Sequence, residues 1–151
     1  MADIIFHQQP NLVQINTYLR EADSFFTPPL SQHLDLALYA EKIAANAHVL
    51  WAVQDQSVVG MCAFYANRPP YAFLTSVSVV PNFQGHGIGK DLLCHLKMWC
   101  KENSYLMLSL EVYKKNTVAY SLYKKIGFKI AADHNEKWLM SCSCSEENAL
   151  S

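Results

Sequence analysis

The segment Gln84-Gly85-His86-Gly87-Ile88-Gly89-Lys90 constrains this chain more than any other. An apolar run over residues 71–80 and Pro81 precede it. After it, Ile88, Leu92, Leu93, Leu96, Trp99 and Cys100 recur at helical spacing to about residue 103. Three glycines at alternate positions therefore lie between a strand and a helix, where backbone N–H groups can be turned toward an anion. By itself this says only that a phosphate sits near a helix start.

Two phosphate motifs are excluded by spacing. A dinucleotide fingerprint counted from Gly85 needs glycine at position 90, where Lys90 stands, and too little chain follows to build a doubly wound domain. A P-loop ending at Gly89-Lys90 needs glycine at 84 and Ser/Thr at 91, but these are Gln84 and Asp91.

The rest of the chain bounds the answer further. Its 151 residues suit one domain, and 51% hydrophobic with 17% charged residues place it among globular chains. A net charge of -1 with no Lys/Arg run argues against nucleic acid as a partner. The longest apolar run, residues 58–66, is too short to cross a bilayer, and the N-terminus lacks a basic, cleavable leader. Cys62, Cys94, Cys100, Cys142 and Cys144 form no C-x-x-C pair, and the six histidines show no ligand spacing. A cytoplasmic protein with free thiols and no metal is expected. Cys142 and Cys144 alternate with serines, as on one face of a strand.

Element by element, residues 3–8 read as a strand ended by Pro10. Asn11 with Gln14 is a capping-box signature that opens a helix over residues 12–22. Pro28 and Pro29 make 23–29 a loop, and Ser31 is expected to open a second helix through residue 46. Strands follow at 49–54, 58–66 and 71–80, joined by turns at 55–57 and 67–70. Beyond the glycine loop and its helix come a strand at 106–113, a helix at 116–126 stopped by Gly127, and strands at 128–132 and 137–142. Residues 1–144 are read as the folded domain and 145–151 as a polar C-terminal end. The order β-α-α-β-β-β-α-β-α-β-β predicts one mixed α/β domain.

The loop fits the pattern Q/R-x-x-G-x-G/A at Gln84, Gly87 and Gly89, after the apolar strand Val77-Ser78-Val79. Downstream, Asn116, Ala119, Leu122, Tyr123, Gly127 and Phe128 meet a second pattern, N-x-x-A-x-x-L-Y-x-x-x-G-F. Two motifs in this order are far more specific than either alone, and the chain resembles the GCN5-related N-acetyltransferase (GNAT) superfamily. The resemblance implies the acyl-CoA N-acyltransferase fold, an α/β architecture with a single mixed, mostly antiparallel sheet flanked by helices. It implies acetyl-CoA as co-substrate and an amine as acceptor. By position, Val77, Ser78 and Val79 would hold pantetheine and the thioester carbonyl. Gln84, Gly85, His86, Gly87, Ile88, Gly89 and Lys90 would hold the pyrophosphate, and Asn116 the pantetheine or phosphate arm. His86 is expected to lend only its amide, while Lys90 either adds charge to the phosphates or faces solvent.

Tyr123 and Glu111 are the catalytic candidates implied by the resemblance. Tyr123 would place its hydroxyl near the CoA sulfur. Its alternative reading is a half-buried helix residue beside Leu122. Leu110-Glu111-Val112, five residues before Asn116, resembles the ribosomal-protein N-terminal acetyltransferase branch, in which that glutamate takes the amine proton. Its alternative reading is a strand carboxylate paired with a nearby lysine. Directly or through a water, Glu111 is expected to take the proton where burial raises its carboxyl pKa. The acceptor pocket is expected from residues 25–29 and 65–71, where aromatics and Arg68 suit a small amine carrying an anionic group, or an amino sugar. A protein N-acetyltransferase of the ribosomal-protein type and a non-catalytic CoA-binding module are the alternatives. An edge strand near the C-terminus offers a surface for a homodimer.

Overall fold

The computed structural model describes residues 2–7 and 11–145. The elements are β1 (Asp3–His7), α1 (Leu12–Ala22), α2 (Leu36–Asn46), β2 (Ala47–Gln54), β3 (Ser57–Arg68), β4 (Tyr71–Val79), α3 (Ile88–Glu102), β5 (Met107–Tyr113), α4 (Thr117–Ile126), β6 (Lys129–His134) and β7 (Lys137–Ser143). The order of strands and helices expected from the sequence is present. Gln8, expected to end the first strand, lies outside the described residues, as does the polar end beyond Ser145.

The seven strands form one sheet in the order β1-β2-β3-β4-β5-β7-β6. Every pairing is antiparallel except β4 with β5. That parallel pairing spans only Tyr71↔Met107 to Leu74↔Leu110. Beyond Leu74, β4 continues against β3 alone and β5 against β7 alone, so the two strands part in the middle of the sheet.

Each face of the sheet carries its own core, which is why β2 and β3 read as near-continuous apolar runs rather than alternating ones. Leu92, Leu93 and Leu96 of α3 pack with Phe64, Leu74, Leu110 and Phe128 on one face. Ile15 and Leu19 of α1 and Ile43 of α2 pack with Val49, Trp51 and Met61 on the other. Lys97, only 6% exposed, crosses the first core and donates from Nζ to the Ile126 carbonyl at 3.1 Å. A cation there satisfies an open carbonyl at the C-terminus of α4 and meets the negative end of its dipole.

The helix expected from Ser31 starts later. Ser31 is bound to Asp23, its amide donating to Oδ1 at 2.8 Å and its hydroxyl to Oδ2 at 2.6 Å. Leu30–Gln32 make a single 3-10 turn, and Asp35 caps α2 by accepting from the amides of Ala37 and Leu38. Asp23 has taken the serine that would have capped the helix. α1 starts where expected, its Asn11 side chain accepting from the Gln14 amide at 3.1 Å.

His48 is stacked among Phe6, Phe64 and Trp99, with centroids 5.0–5.7 Å away. Its Nδ1 is buried without a hydrogen-bond partner. Burial lowers its pKa from the ordinary 6.5. A depressed histidine pKa means that the unfolded chain takes the proton first. Its contribution to stability is therefore intact above pH 6.5 and is lost as pH falls from there toward the folded-state value. We expect the Tm of wild type to fall relative to that of His48→Phe between pH 7 and pH 5. Parallel melting profiles for the two proteins would refute this.

Candidate active site

The parting of β4 from β5 opens a cleft of about 1380 Å³ that passes between the two faces of the sheet. It exceeds the ~300–1,000 Å³ usual for one small ligand, as a site shared by a long cofactor and a second reactant requires. Its β4 wall is shaped by a bulge, because Leu74 pairs with Phe64 and Ser76 with Ala63, leaving Thr75 as the extra residue. The Tyr39 hydroxyl of α2 holds the bulge, donating to the Thr75 carbonyl at 2.9 Å and lying 2.7 Å from Oγ1. Burial pushes the Tyr39 phenol up to about 12, so it stays a neutral donor.

Beyond the bulge, Val80 donates to the Val59 carbonyl at 2.8 Å. The alternation of an antiparallel ladder then turns the amides and carbonyls of Ser76 and Ser78 toward β3, and those of Val77 and Val79 toward the cleft. The Ser78 side chain likewise serves another contact, its Oγ lying 2.7 Å from the Tyr18 hydroxyl of α1. Of the three strand residues singled out from the sequence, Val77 offers an open amide and carbonyl, Val79 an open amide, and Ser78 neither. Gln84 donates from Nε2 to the Val79 carbonyl at 2.9 Å, which ties the loop to the strand.

At the other end of the cleft, Gly85 and Gly87 have φ of 82° and 83°, a conformation costing other residues ~1–2 kcal/mol. Gly87 caps α3, and the first intrahelical bond runs from Asp91 to the Gly87 carbonyl at 2.9 Å. The amides of Ile88, Gly89 and Lys90 are thus the helix's orphan donors, a cradle for an anion. Gln84, Gly85, Gly87, Ile88, Gly89 and Lys90 all line the cleft. His86 is exposed and does not. Lys125, which carries no motif position, joins Lys90 in the lining. These features fit a pyrophosphate-bearing arm: donors and cations at one end, open strand backbone along the middle.

Asn116 also lines the cleft, but its Oδ1 accepts from the Ala119 amide at 3.2 Å and caps α4. Only its Nδ2 remains for a ligand. Tyr123 is buried among cleft and core, its ring 5.8 Å from Phe128. Burial drives its phenol well above the ordinary value of 10. Hence it is a hydrogen-bond donor across the working pH range.

Glu111 lines the cleft from the opposite face to Tyr123, since Leu110 and Val112 are the core-facing neighbours on β5. The burial expected for it is not found. Its side chain is 34% exposed, because β5 has left β4 at this point and the cleft mouth lies over it. Nor does it pair with a lysine: Lys114 binds Asp133 at 2.6 Å, and Lys137 lies 4.7 Å over the Tyr113 ring. Its partner is His134, whose Nδ1 is 2.8 Å from Oε2.

The expected acceptor segments divide. Phe25, Phe26, Thr27 and Pro28 line the cleft, whereas Arg68 and Tyr71 do not. Residues 66–71 turn at the closed end of β4, where it still pairs with β5. Val77 lies about 20 Å further along the strand by its rise of ~3.3 Å per residue. The structure instead brings His33, Leu34 and Leu38 of the loop and α2 to the mouth, all exposed.

A mixed sheet split at its parallel pair, with four helices and an anion cradle at the head of α3, defines an acyl-CoA N-acyltransferase fold. The family model "Acetyltransferase (GNAT) family" matches residues 15–128, and the chain belongs to that family of acetyl-CoA-dependent N-acetyltransferases. A Bacillus subtilis protein provisionally assigned as a ribosomal protein bS18-alanine N-acetyltransferase is 30% identical over 115 residues, covering 76% of this chain and 73% of that protein. The crystal structure of the ribosomal-protein-S18-alanine N-acetyltransferase from Escherichia coli shares the fold. Its TM-score is 0.78 at 20% identity, over 97% of this chain and 96% of that one. So does PaiA N-acetyltransferase from Thermoplasma acidophilum in complex with coenzyme A. There the TM-score is 0.74 at 18% identity, over 93% and 99% of the two chains.

Proposed function

We propose that this enzyme acetylates the α-amine at the N-terminus of a protein, of the ribosomal-protein type. The observation that carries the reading is the setting of Glu111, a partly exposed carboxylate at an open cleft mouth. An ammonium of pKa ~10.4, as in lysine, is neutral about one part in 2,500 at pH 7, roughly 4.6 kcal/mol from the reactive form. An α-amine near pKa ~8 is already neutral about one part in ten, so a solvated base suffices. Leu34 and Leu38 rim the same mouth and offer apolar surface to a chain that continues past the amine. The Leu110-Glu111-Val112 string and the Bacillus subtilis relative support the same acceptor. A small amine or amino sugar, the acceptor first expected, drew on Arg68, which does not line the cleft.

In this reading Val77 and Val79 pair with the pantetheine arm of acetyl-CoA. Gln84, Gly85 and Gly87 to Lys90, with Lys125, hold its phosphates, and Asn116 Nδ2 faces the arm between them. Glu111 takes the proton of the acceptor ammonium. Tyr123 donates a hydrogen bond to the leaving sulfur as charge develops there, and strand amides serve the carbonyl oxygen. Proton transfer from tyrosine to a thiolate of pKa ~8.5 is uphill even at the ordinary phenol value of ~10, and burial steepens it.

Thiol release from acetyl-CoA tests the acceptor. The panel is a peptide with the N-terminal sequence of ribosomal protein bS18, the same peptide blocked at its N-terminus, free lysine and glucosamine. Release is expected with the free peptide and not with the blocked one. Faster release with glucosamine or lysine than with the free peptide would overturn the assignment.

A further inference from the structure

We infer that His134 is a positioning residue for the base: its Nδ1–H holds Glu111 Oε2, leaving Oε1 for the acceptor amine. The inference rests on the proposed role of Glu111 and extends it to a residue that neither sequence motif includes.

The sheet register shows how His134 comes to be there. Glu111 pairs across β5–β7 with Leu139, and Tyr113 with Lys137, so these four share the cleft face. On the far side of β7, Ile130 pairs with Met140, which belongs to the opposite, core-facing set. Simple alternation from Ile130 would put residues 132 and 134 on that same core face. A bulge at Ala131 changes the phase, because Ala132 pairs with Leu139, and His134 with Lys137. The extra residue thus turns His134 onto the face of Glu111, where its Nδ1 reaches Oε2 at 2.8 Å. Bulges re-aim side chains in this way beside active sites.

The chemistry of the pair is one-directional. An ionised carboxylate only accepts, so Nδ1 carries the proton and donates a hydrogen bond to Oε2. His134 keeps that proton throughout, while the proton leaving the amine goes to Oε1 and then to solvent. As a stabilising contact the pair is worth little, since Glu111 is 34% and His134 44% exposed. As an orienting contact it matters more. A glutamate on an open strand face samples many rotamers, and a base must lie within hydrogen-bond reach of the proton it removes. Of the charged neighbours on this face, Lys114 is bound to Asp133 and Lys137 lies over the Tyr113 ring, while His33 packs edge-on to that same ring.

Turnover by thiol release, with the free bS18 N-terminal peptide as acceptor, is compared for wild type, Glu111→Gln, His134→Ala, His134→Asn and the Glu111→Gln/His134→Ala double variant. His134→Ala is expected to lower kcat about 10-fold with the KM for acetyl-CoA unchanged. His134→Asn, whose Nδ2 takes the place of Nδ1, should restore most of that loss. In the Glu111→Gln background, His134→Ala should cost nothing further. Wild-type turnover by Glu111→Gln would remove the base and this inference together. A slow Glu111→Gln beside a wild-type His134→Ala, or losses that multiply in full in the double variant, would overturn the inference alone.

Discussion

Tyr123→Phe should lower kcat by about 10²-fold or more, with the KM for acetyl-CoA nearly unchanged. The substitution removes one hydroxyl and no ring, so packing against Phe128 and the surrounding core is kept. In the proposed mechanism, what is lost is a single donor to developing charge in a water-poor setting, and such donors contribute ~10²–10³ in rate. Because burial holds the phenol far above its ordinary value, wild type and variant should show no difference in the shape of their pH profiles below pH 10. The Tm should also be unchanged, which separates the effect from misfolding. Steady-state thiol release at saturating acetyl-CoA makes the measurement, and turnover equal to wild type would remove Tyr123 from the mechanism.

Phe128→Ala should cost about 3–5 kcal/mol of stability, the range for emptying a phenylalanine site in a well-packed core. Phe128 is 1% exposed and lies directly after the Gly127 cap of α4, its amide donating to the Tyr123 carbonyl at 3.0 Å. At ~2–4 °C per kcal/mol for a domain of this size, the Tm falls by about 6–20 °C. The ring also stands edge-on to Tyr123, so the cavity opens beside the residue proposed to serve the leaving sulfur. Turnover measured well below the new Tm should therefore fall too, whereas Phe128→Leu should recover most of the stability. Calorimetry on the three proteins checks this, and a Tm loss under about 2 °C for Phe128→Ala would refute the packing argument.

Much of the fold is legible in the sequence because it depends on local rules. The Asn11–Gln14 cap, the glycine stop at Gly127 and the helical spacing after Gly87 are set within a turn or two of chain, and each stands where expected. Where two local signals competed, local reading failed. Ser31 looks like a helix cap until Asp23, eight residues earlier, binds both its amide and its hydroxyl. Strand ends shifted by a residue or two because pairing partners, such as Tyr71 for Arg68, extend or shorten them.

The two loops expected to build the acceptor pocket show the same division. Both are aromatic and proline-rich, and composition cannot rank them. Only the place where β4 and β5 part does so, by leaving residues 66–71 at the closed end and Phe25 to Pro28 at the open one.

The glycine loop and the Asn116–Phe128 segment, through their resemblance to the GNAT family, were enough to read this chain as an acetyl-CoA-dependent transferase. An anion cradle and a capped helix are local objects, built from backbone conformation and spacing. The tertiary structure alone decided which groups share the reaction space. Tyr123 lies on one face of the sheet and Glu111 on the other, and they line one cleft because the sheet is split between them. His134 reaches Glu111 through an extra residue in β6, whose effect on side-chain direction exists only once β6 has a register against β7. Pairing across strands is a non-local choice, and no window of sequence contains it.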